Sequence, residues 1–295
     1  MTIRGLLKML VPPVLTMIWR RLRPAPAPER PKQQVPEEHT VSAGPLSGSK
    51  LFVAAAMPSY RDMLSGAYDA YMFDAMPSGP LHGKILLDIG AHIGYHALAF
   101  AAMHPQARIV AFEPNPVNVE RARLNFSLSP SLAPQVQLME LALSNANGTV
   151  MMNGSSNVED QTSSGSYIDG ASKPLDDSIY RKSGFRSFQV ACRRLDELAA
   201  EQAWKDVAVM KIDVEGAEHL VLQGARQILE RDRPLLLIEV HSVVCMLEVL
   251  RVLAPLGYST ELLHEDRPSR CFIAARHIGW GMVDRPGPAS ASDPS

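Results

Sequence analysis

The chain has 295 residues, 46% of them apolar, and a net charge of −2. That length and apolar content support one large core or two small ones, and the near-neutral balance lacks the basic surplus of an electrostatic nucleic-acid binder. Cys192, Cys245 and Cys271 stand far apart with no CxxC spacing, which argues against a structural zinc site and for buried thiols in a reducing compartment.

Residues 1–23 carry Arg4, Lys8, Arg20, Arg21 and Arg23, no acid, and apolar residues that include Leu6, Leu10, Val14, Ile18 and Trp19. Lys8 and Pro12-Pro13 interrupt the stretch, so it falls short of the ~20 apolar residues of a membrane span. Trp19-Arg20-Arg21 does not resemble a small-residue cleavage site. The segment reads as basic and amphipathic, suited to peripheral contact with an anionic membrane or to docking on the protein itself, with a frayed terminus as the alternative. The expected location is cytoplasmic, with association at the inner membrane face left open. Residues 24–49, with Pro24, Pro26, Pro28, Pro31 and Pro36, read as an extended linker. The folded domain is expected over 51–281 and a disordered Pro/Ser/Ala tail over 282–295.

Residues 59–76 place Tyr60, Leu64, Ala67, Tyr68 and Tyr71 near one helical face, as core or as a cap over a ligand. Next comes Ile85-Leu86-Leu87-Asp88-Ile89-Gly90-Ala91-His92-Ile93-Gly94: a buried strand, a glycine turn and a helix from Tyr95 to Met103. This is where α/β sheets hold nucleotide-like ligands. Gly90 and Gly94 permit a tight bend and close approach to a ligand, and Asp88 offers an acceptor at the strand's carboxyl end. A second strand, Arg108 to Phe112, ends at Glu113, about 25 residues after Asp88, the offset at which an acid holds a ribose hydroxyl pair. A helix follows over 117–126.

Residues 136–143 read as a third strand, with the adenine of a nucleoside expected in the loop after it, and 149–152 as a fourth. The polar stretch 153–184 is a candidate lid, with disorder as the alternative. After a strand at 188–192 and a short helix comes Val207-Ala208-Val209-Met210-Lys211-Ile212-Asp213-Val214-Glu215-Gly216-Ala217-Glu218. If the strand persists through Val214, Asp213 and Glu215 point to one side, and paired acids raise each other's proton affinity, which suits one as a base. The next strand, Pro234 to His241, ends in another i, i+2 pair, Glu239 and His241. Parallel strands would bring all four groups to one cleft beside the glycine turn. A helix over 243–254 and an antiparallel pair, 258–263 with 271–275, close the domain.

A dinucleotide fingerprint needs glycine at 90, 92 and 95, where the chain has Gly90, His92 and Tyr95, and no G-x-x-x-x-G-K-[ST] occurs. An NAD(P)-dependent oxidoreductase therefore fits poorly. A donor with ribose and adenine but no phosphate fits the single turn, and S-adenosylmethionine is such a donor. Leu87-Asp88-Ile89-Gly90-Ala91-His92-Ile93-Gly94-Tyr95, Phe112-Glu113-Pro114-Asn115-Pro116, Ala142-Leu143-Ser144 with Gly148, and Lys211 to Glu218 together resemble the FkbM family of methyltransferases. The resemblance covers about residues 80–275.

It implies a Rossmann-like class I methyltransferase fold: a seven-stranded, mostly parallel sheet with helices on both faces and a terminal antiparallel strand. It implies methyl transfer from S-adenosylmethionine to a hydroxyl of a sugar, polyketide or lipid-linked acceptor. By resemblance, Asp88, Gly90 and Gly94 line the methionine part of the donor and Glu113 holds the ribose. Ala91, His92, Pro114, Asn115, Ser144 and Asp213 complete the donor contacts. His92 stands where the family more often has asparagine. The expected catalytic groups are Asp213 and Glu215, facing the reacting centre, and His241, with His241 or the acid pair as base. An oxygen-rich set of Asp213, Glu215 and Glu239 would suit Mg²⁺, but no metal is assigned. A non-catalytic donor-binding protein is the second reading. Nucleic-acid methylation is set aside, because Asp213-Val214-Glu215-Gly216 stands where an Asn-Pro-Pro-aromatic run would be expected.

Overall fold

The computed structural model describes residues 35–154, 165–172, 186–267 and 270–279, with only the backbone described for 266 and 267. The expectations for residues 1–23, for residues 24–34 of the linker and for the tail lie outside these residues, as does most of the candidate lid. The main body begins at Pro36.

Its first elements correct the linker boundary. Strand β1, Glu37–Thr40, pairs antiparallel with β2, Lys50–Val53, inside the stretch expected to be a tether up to residue 49. Val41, Leu46, Leu51 and Val53 are buried, and burying each aliphatic side chain contributes about 1.5–3 kcal/mol. The Phe52 amide donates to Asn125 Oδ1 at 2.7 Å, and Asn125 Nδ2 donates to the Ile93 carbonyl at 2.9 Å. The hairpin is thereby tied to the glycine turn. Proline content alone did not reveal these aliphatic anchors.

The single helix expected over 59–76 is two, α1 Pro58–Ser65 and α2 Ala70–Asp74. Gly66 and Asp69, both at positive φ, break it. A Cβ at Gly66 would lie 2.4 Å from the Ala43 backbone, so glycine there lets the hairpin's loop pack onto the helix end.

The main sheet contains β3 Ile85–Ile89, β4 Arg108–Phe112, β5 Val136–Met139, β10 Val207–Ile212, β11 Leu235–Val240, β12 Tyr258–Arg267 and β13 Arg270–His277. The order is β12-β13-β11-β10-β3-β4-β5. Strands β5, β4, β3, β10 and β11 run parallel, and β13 is antiparallel to both β11 and β12. This is the seven-stranded architecture expected of a class I methyltransferase. The short strands expected at 149–152 and 188–192 instead belong to a second sheet, order β6-β9-β7-β8. It comprises β6 Ala142–Leu143, β7 Gly148–Gly154, β8 Tyr167–Ile168 and β9 Arg186–Arg193. Residues 136–143 therefore do not form one strand: they leave the main sheet after Met139 and join the second at Ala142.

Strand alternation divides the core. Ile85, Leu87, Ile89, Val110, Phe112, Leu236 and Ile238 pack on one face. They meet α5 Leu195–Glu201, α6 Glu218–Gly224, α7 Arg226–Arg231 and α8 Val243–Leu253. Leu86, Ile109, Ala111, Val209, Leu235 and Leu237 pack on the other, against the hairpin, α1, α2, α3 Tyr95–Met103 and α4 Pro116–Ser127. Helices α6 and α7 are divided at Ala225. By the same alternation, Asp88, Lys211 and Glu239 share the second face, at or near the carboxyl ends of three adjacent strands. Among the described residues no helix is long and apolar enough to cross a membrane.

Candidate active site

A cavity of about 660 Å³ lies at these strand ends, within the 300–1,000 Å³ typical of small-molecule sites. One part is lined by Gly90, Ala91, His92, Glu113, Pro114 and Asn118, with the apolar segment Leu141-Ala142-Leu143 beside them. The other is lined by Asp213, Glu215 and Glu239, with Tyr68, Tyr71, His264 and Arg270. Tyr68 and Tyr71 thus border the cavity and also pack against the core on that face.

The glycine turn is demanded by the protein's own packing. Gly90 has φ +81, and a Cβ there would lie 1.8 Å from the Asp213 carbonyl oxygen. Gly94 has φ +82, and a Cβ there would lie 2.5 Å from the Phe126 ring. The expected close approach to a ligand is therefore not what requires glycine at these positions. The turn's amides are largely committed as well: Gly90 and Ala91 donate to the Phe112 carbonyl, Gly94 to Ala91 and His92 to Glu113 Oε2. No row of amides remains at 90–92 to cradle a pyrophosphate, which agrees with the missing dinucleotide fingerprint. His92 itself sits at φ 51, stacks on Tyr60 with ring centroids 6.4 Å apart, and is held neutral by burial, which pushes its pKa down to about 4.

Glu113 is buried and receives three N–H donors. The Asn115 amide at 2.9 Å and Asn118 Nδ2 at 3.2 Å reach Oε1, and the His92 amide at 2.8 Å reaches Oε2. A carboxylate offers about four acceptor positions, so capacity remains on Oε2. Burial pushes the Glu113 carboxyl up to about 7, against the lowering effect of those donors. Asn118 was not singled out in the sequence; its position in the first turn of the helix after Glu113 was the available signal.

Four expected donor contacts, Asp88, Gly94, Asn115 and Ser144, do not line the cavity. Asp88 is fully buried and pairs with Lys211 Nζ at 3.2 Å. That same Nζ donates to the Gly90 carbonyl at 2.8 Å and lies 3.7 Å from Asp213 Oδ2. Asp88 thus acts on the cavity through Lys211. Burial disfavours the lysine's charge, but Asp88 and Asp213 outweigh it and raise the pKa above the usual range. Asn115 caps α4, its Oδ1 accepting from the Val117 amide, while its Nδ2 donates to Ser166 Oγ. Ser144 lies beneath α6, where the Gly224 backbone passes so close that a Cβ would sit 2.1 Å from the Ser144 carbonyl oxygen. Lys211 was missed as a site residue, although a lysine inside the apolar run Val207–Ile212 was a visible sign of a buried partner.

Asp213, Glu215, Glu239 and His241 do converge. His241 Nε2 lies 3.7 Å from Asp213 Oδ1, 3.4 Å from Glu215 Oε2 and 3.4 Å from Glu239 Oε1. The geometry that brings them together differs from the expected extended strand. Strand β10 ends at Ile212, and Glu215 sits at φ 56 in the left-handed region, a costly conformation for a residue with a side chain.

His241 does not have the properties of a general base. It is 2% exposed and is not among the residues lining the cavity. Burial disfavours its charge, but Glu215 and Glu218 outweigh that and hold its pKa well above the ordinary value. Its Nδ1 is 2.9 Å from Glu218 Oε1, an acid to which the sequence had given no role. Two of the cavity-lining acids are shifted upward as well. Burial raises Glu215, and burial with Asp213 pushes Glu239 up to about 7.

The chain is similar to several named enzymes. It is 30% identical over 152 residues to 2-O-methyltransferase NoeI of Sinorhizobium fredii, covering 50% of this chain and 60% of that protein. It is 29% identical over 164 residues to methyltransferase sdnD of Sordaria araneosa, covering 50% and 61%. It is 26% identical over 192 residues to hexuronic acid methyltransferase AglP of Haloferax volcanii, covering 65% and 70%. The chain thus matches about three fifths of the length of the first two relatives. The crystal structure of methyltransferase FkbM from Methylobacillus flagellatus KT aligns with a TM-score of 0.47 at 17% identity, over 73% of this chain and 53% of that one. The fold assignment rests on strand order, not on that likeness. Residues 88–259, more than half of the chain, match the methyltransferase FkbM domain. With the motifs and strand order already described, this match establishes that the chain belongs to the FkbM methyltransferase family.

Proposed function

We propose that the protein is an S-adenosylmethionine-dependent O-methyltransferase whose acceptor is a hydroxyl on a sugar, polyketide or lipid-linked molecule. The observation that carries this reading is one continuous cavity joining the Glu113 region to the Asp213, Glu215 and Glu239 carboxylates. The residues fit the donor. Glu113 keeps acceptor capacity for a ribose hydroxyl, Leu141 to Leu143 offer an apolar bed for adenine, and the committed turn amides suit a ligand without phosphates. The names of NoeI and AglP, a 2-O-methyltransferase and a hexuronic acid methyltransferase, favour oxygen and a sugar-like acceptor.

The donor supplies an electrophilic methyl on a sulfonium, and displacement there is in line, so alignment of the acceptor oxygen by the cavity wall contributes much of the rate. Tyr68, Tyr71, His264 and Arg270 form that wall on the acceptor side. The acceptor hydroxyl must lose its proton as the new bond forms. Glu215 takes it in this reading: its carboxyl lines the cavity, and burial raises its proton affinity toward the working range of a base. His241 positions the acids in place of serving as the base. The test is turnover of the donor with a panel of sugars and hydroxylated metabolites, read as a gain of one methyl mass, alongside calorimetric donor binding. Glu215→Gln should lower turnover by about 10²–10⁴-fold with donor affinity unchanged. Donor binding without any methylated product favours the non-catalytic reading, and absence of donor binding refutes both.

A further inference from the structure

We propose that Asp213, Glu239 and His241 form a divalent-cation site at the acceptor end of the cavity. Their ligand-capable atoms all lie within 4.8 Å of one another. The histidine is prepared for this role. It is almost wholly buried, and its Nδ1 is fixed at 2.9 Å from Glu218 Oε1. Glu218 is itself fully buried and accepts from the Gly216 amide at 3.0 Å and from Cys245 Sγ at 2.7 Å. A carboxylate that orients one imidazole nitrogen so that the other faces a metal is a recurrent second layer of metal sites.

The remaining nitrogen, Nε2, has no hydrogen-bond partner although it is buried and aimed at the acids. Its distances to Glu239 Oε1, Glu215 Oε2 and Asp213 Oδ1 are 3.4, 3.4 and 3.7 Å. These exceed the 2.7–3.2 Å of good N–H···O bonds, so Nε2 faces the acids without a direct hydrogen bond. The Glu239 distance reaches the upper edge of the separation between ligands of a single ion, and the Asp213 distance slightly exceeds it. Two ligand atoms held at roughly 2.1 Å from a metal, at tetrahedral or octahedral angles, lie roughly 3.0–3.4 Å from each other.

Charge points the same way. Asp213 shares Lys211 with Asp88, and Glu239 pairs with Arg270, whose Nη1 lies 3.0 Å from its Oε1, while Glu215 has no lysine or arginine pair among the described residues. Asp213 and Glu239 line the cavity, which gives an ion a way in. A set of two carboxylates and one imidazole, with no thiolate, favours an ion that accepts both oxygen and nitrogen, and Mn²⁺ is a suitable probe. On the methyl-transfer reading, an ion there would act as a Lewis acid on the acceptor hydroxyl. The site itself does not depend on that reading.

The experiment uses the full chain, stripped with chelator, dialysed and titrated with Mn²⁺, with free ion followed by its electron paramagnetic resonance signal. One saturable site per chain is expected. Glu218→Gln should weaken it by about 10–100-fold, and Glu239→Gln and His241→Ala by at least as much, with circular dichroism reporting whether each variant folds. Should His241→Ala not fold, the near-isosteric Glu239→Gln decides. No saturable binding, or binding unchanged in Glu239→Gln, overturns the proposal. Donor affinity measured separately by calorimetry keeps failure of this site distinct from failure of the methyltransferase reading.

Discussion

Replacing Gly90 by alanine tests whether the turn is fixed by the protein's own backbone. The substitution carries two costs. Residue 90 has φ +81, and a Cβ in the left-handed region costs about 1–2 kcal/mol. The new methyl would also lie 1.8 Å from the Asp213 carbonyl oxygen, so that carbonyl must retreat by more than about 1 Å. Overpacking of this kind costs about 1–3 kcal/mol, giving roughly 2–5 kcal/mol together. Gly83→Ala is the control. Its φ is +70, but no atom lies within 4 Å of the added Cβ, so only the backbone cost of about 1–2 kcal/mol applies. Both variants gain the same small stabilisation from a stiffer unfolded chain, which cancels in the comparison. Urea unfolding of the three proteins at equal m-value gives the two losses. Equal losses at 90 and 83, within about 0.5 kcal/mol, would refute the claim that the Asp213 carbonyl is what glycine accommodates.

Lys211→Met should destabilise by about 3–5 kcal/mol in the same assay, because it leaves the fully buried Asp88 carboxylate without its counter-charge. A loss below about 1 kcal/mol would mean that the pair contributes little. Stability should also fall as pH rises from about 4.5 to 7, through Glu113. Its carboxyl is raised by burial to about 7, so over that window the unfolded chain releases the proton first and is favoured. Below the window both states hold the proton, and above it the penalty is constant, on the order of 3 kcal/mol. Glu239, also pushed up to about 7, adds a slope of the same sign, so the contribution of Glu113 is read as the difference between the native chain and Glu113→Gln. Parallel pH profiles for the two proteins would rule it out.

Local chemistry was legible where neighbours in sequence decide it. The strand, turn and helix from Ile85 to Met103 follow from an apolar run, two glycines and an apolar helix. The acids at the ends of β4, β10 and β11 could be read from abrupt polar residues closing buried strands. What could not be read depends on segments that meet only in the fold. Gly90 looked like an accommodation to ligand because the Asp213 carbonyl, more than a hundred residues away, cannot be placed from the sequence. The packing of Gly224 against the Ser144 carbonyl likewise joins segments that the sequence alone cannot bring together. The hairpin from Glu37 looked like a tether because prolines obscured four scattered aliphatic anchors.

His241 shows why the catalytic assignment changed. A histidine at a strand end invites the role of base because its ordinary proton affinity lies near neutral pH. That inference assumes an ordinary environment. Here Glu239 comes from the same strand, but Asp213, Glu215 and Glu218 arrive from the preceding strand end and helix, and together they favour positive charge at the imidazole position. An imidazole so surrounded holds its proton firmly and is therefore not free to take one from an acceptor. Glu215, at a strained φ of 56, lines the cavity, whereas His241 does not, and in the proposed reaction it is therefore Glu215 that meets the acceptor.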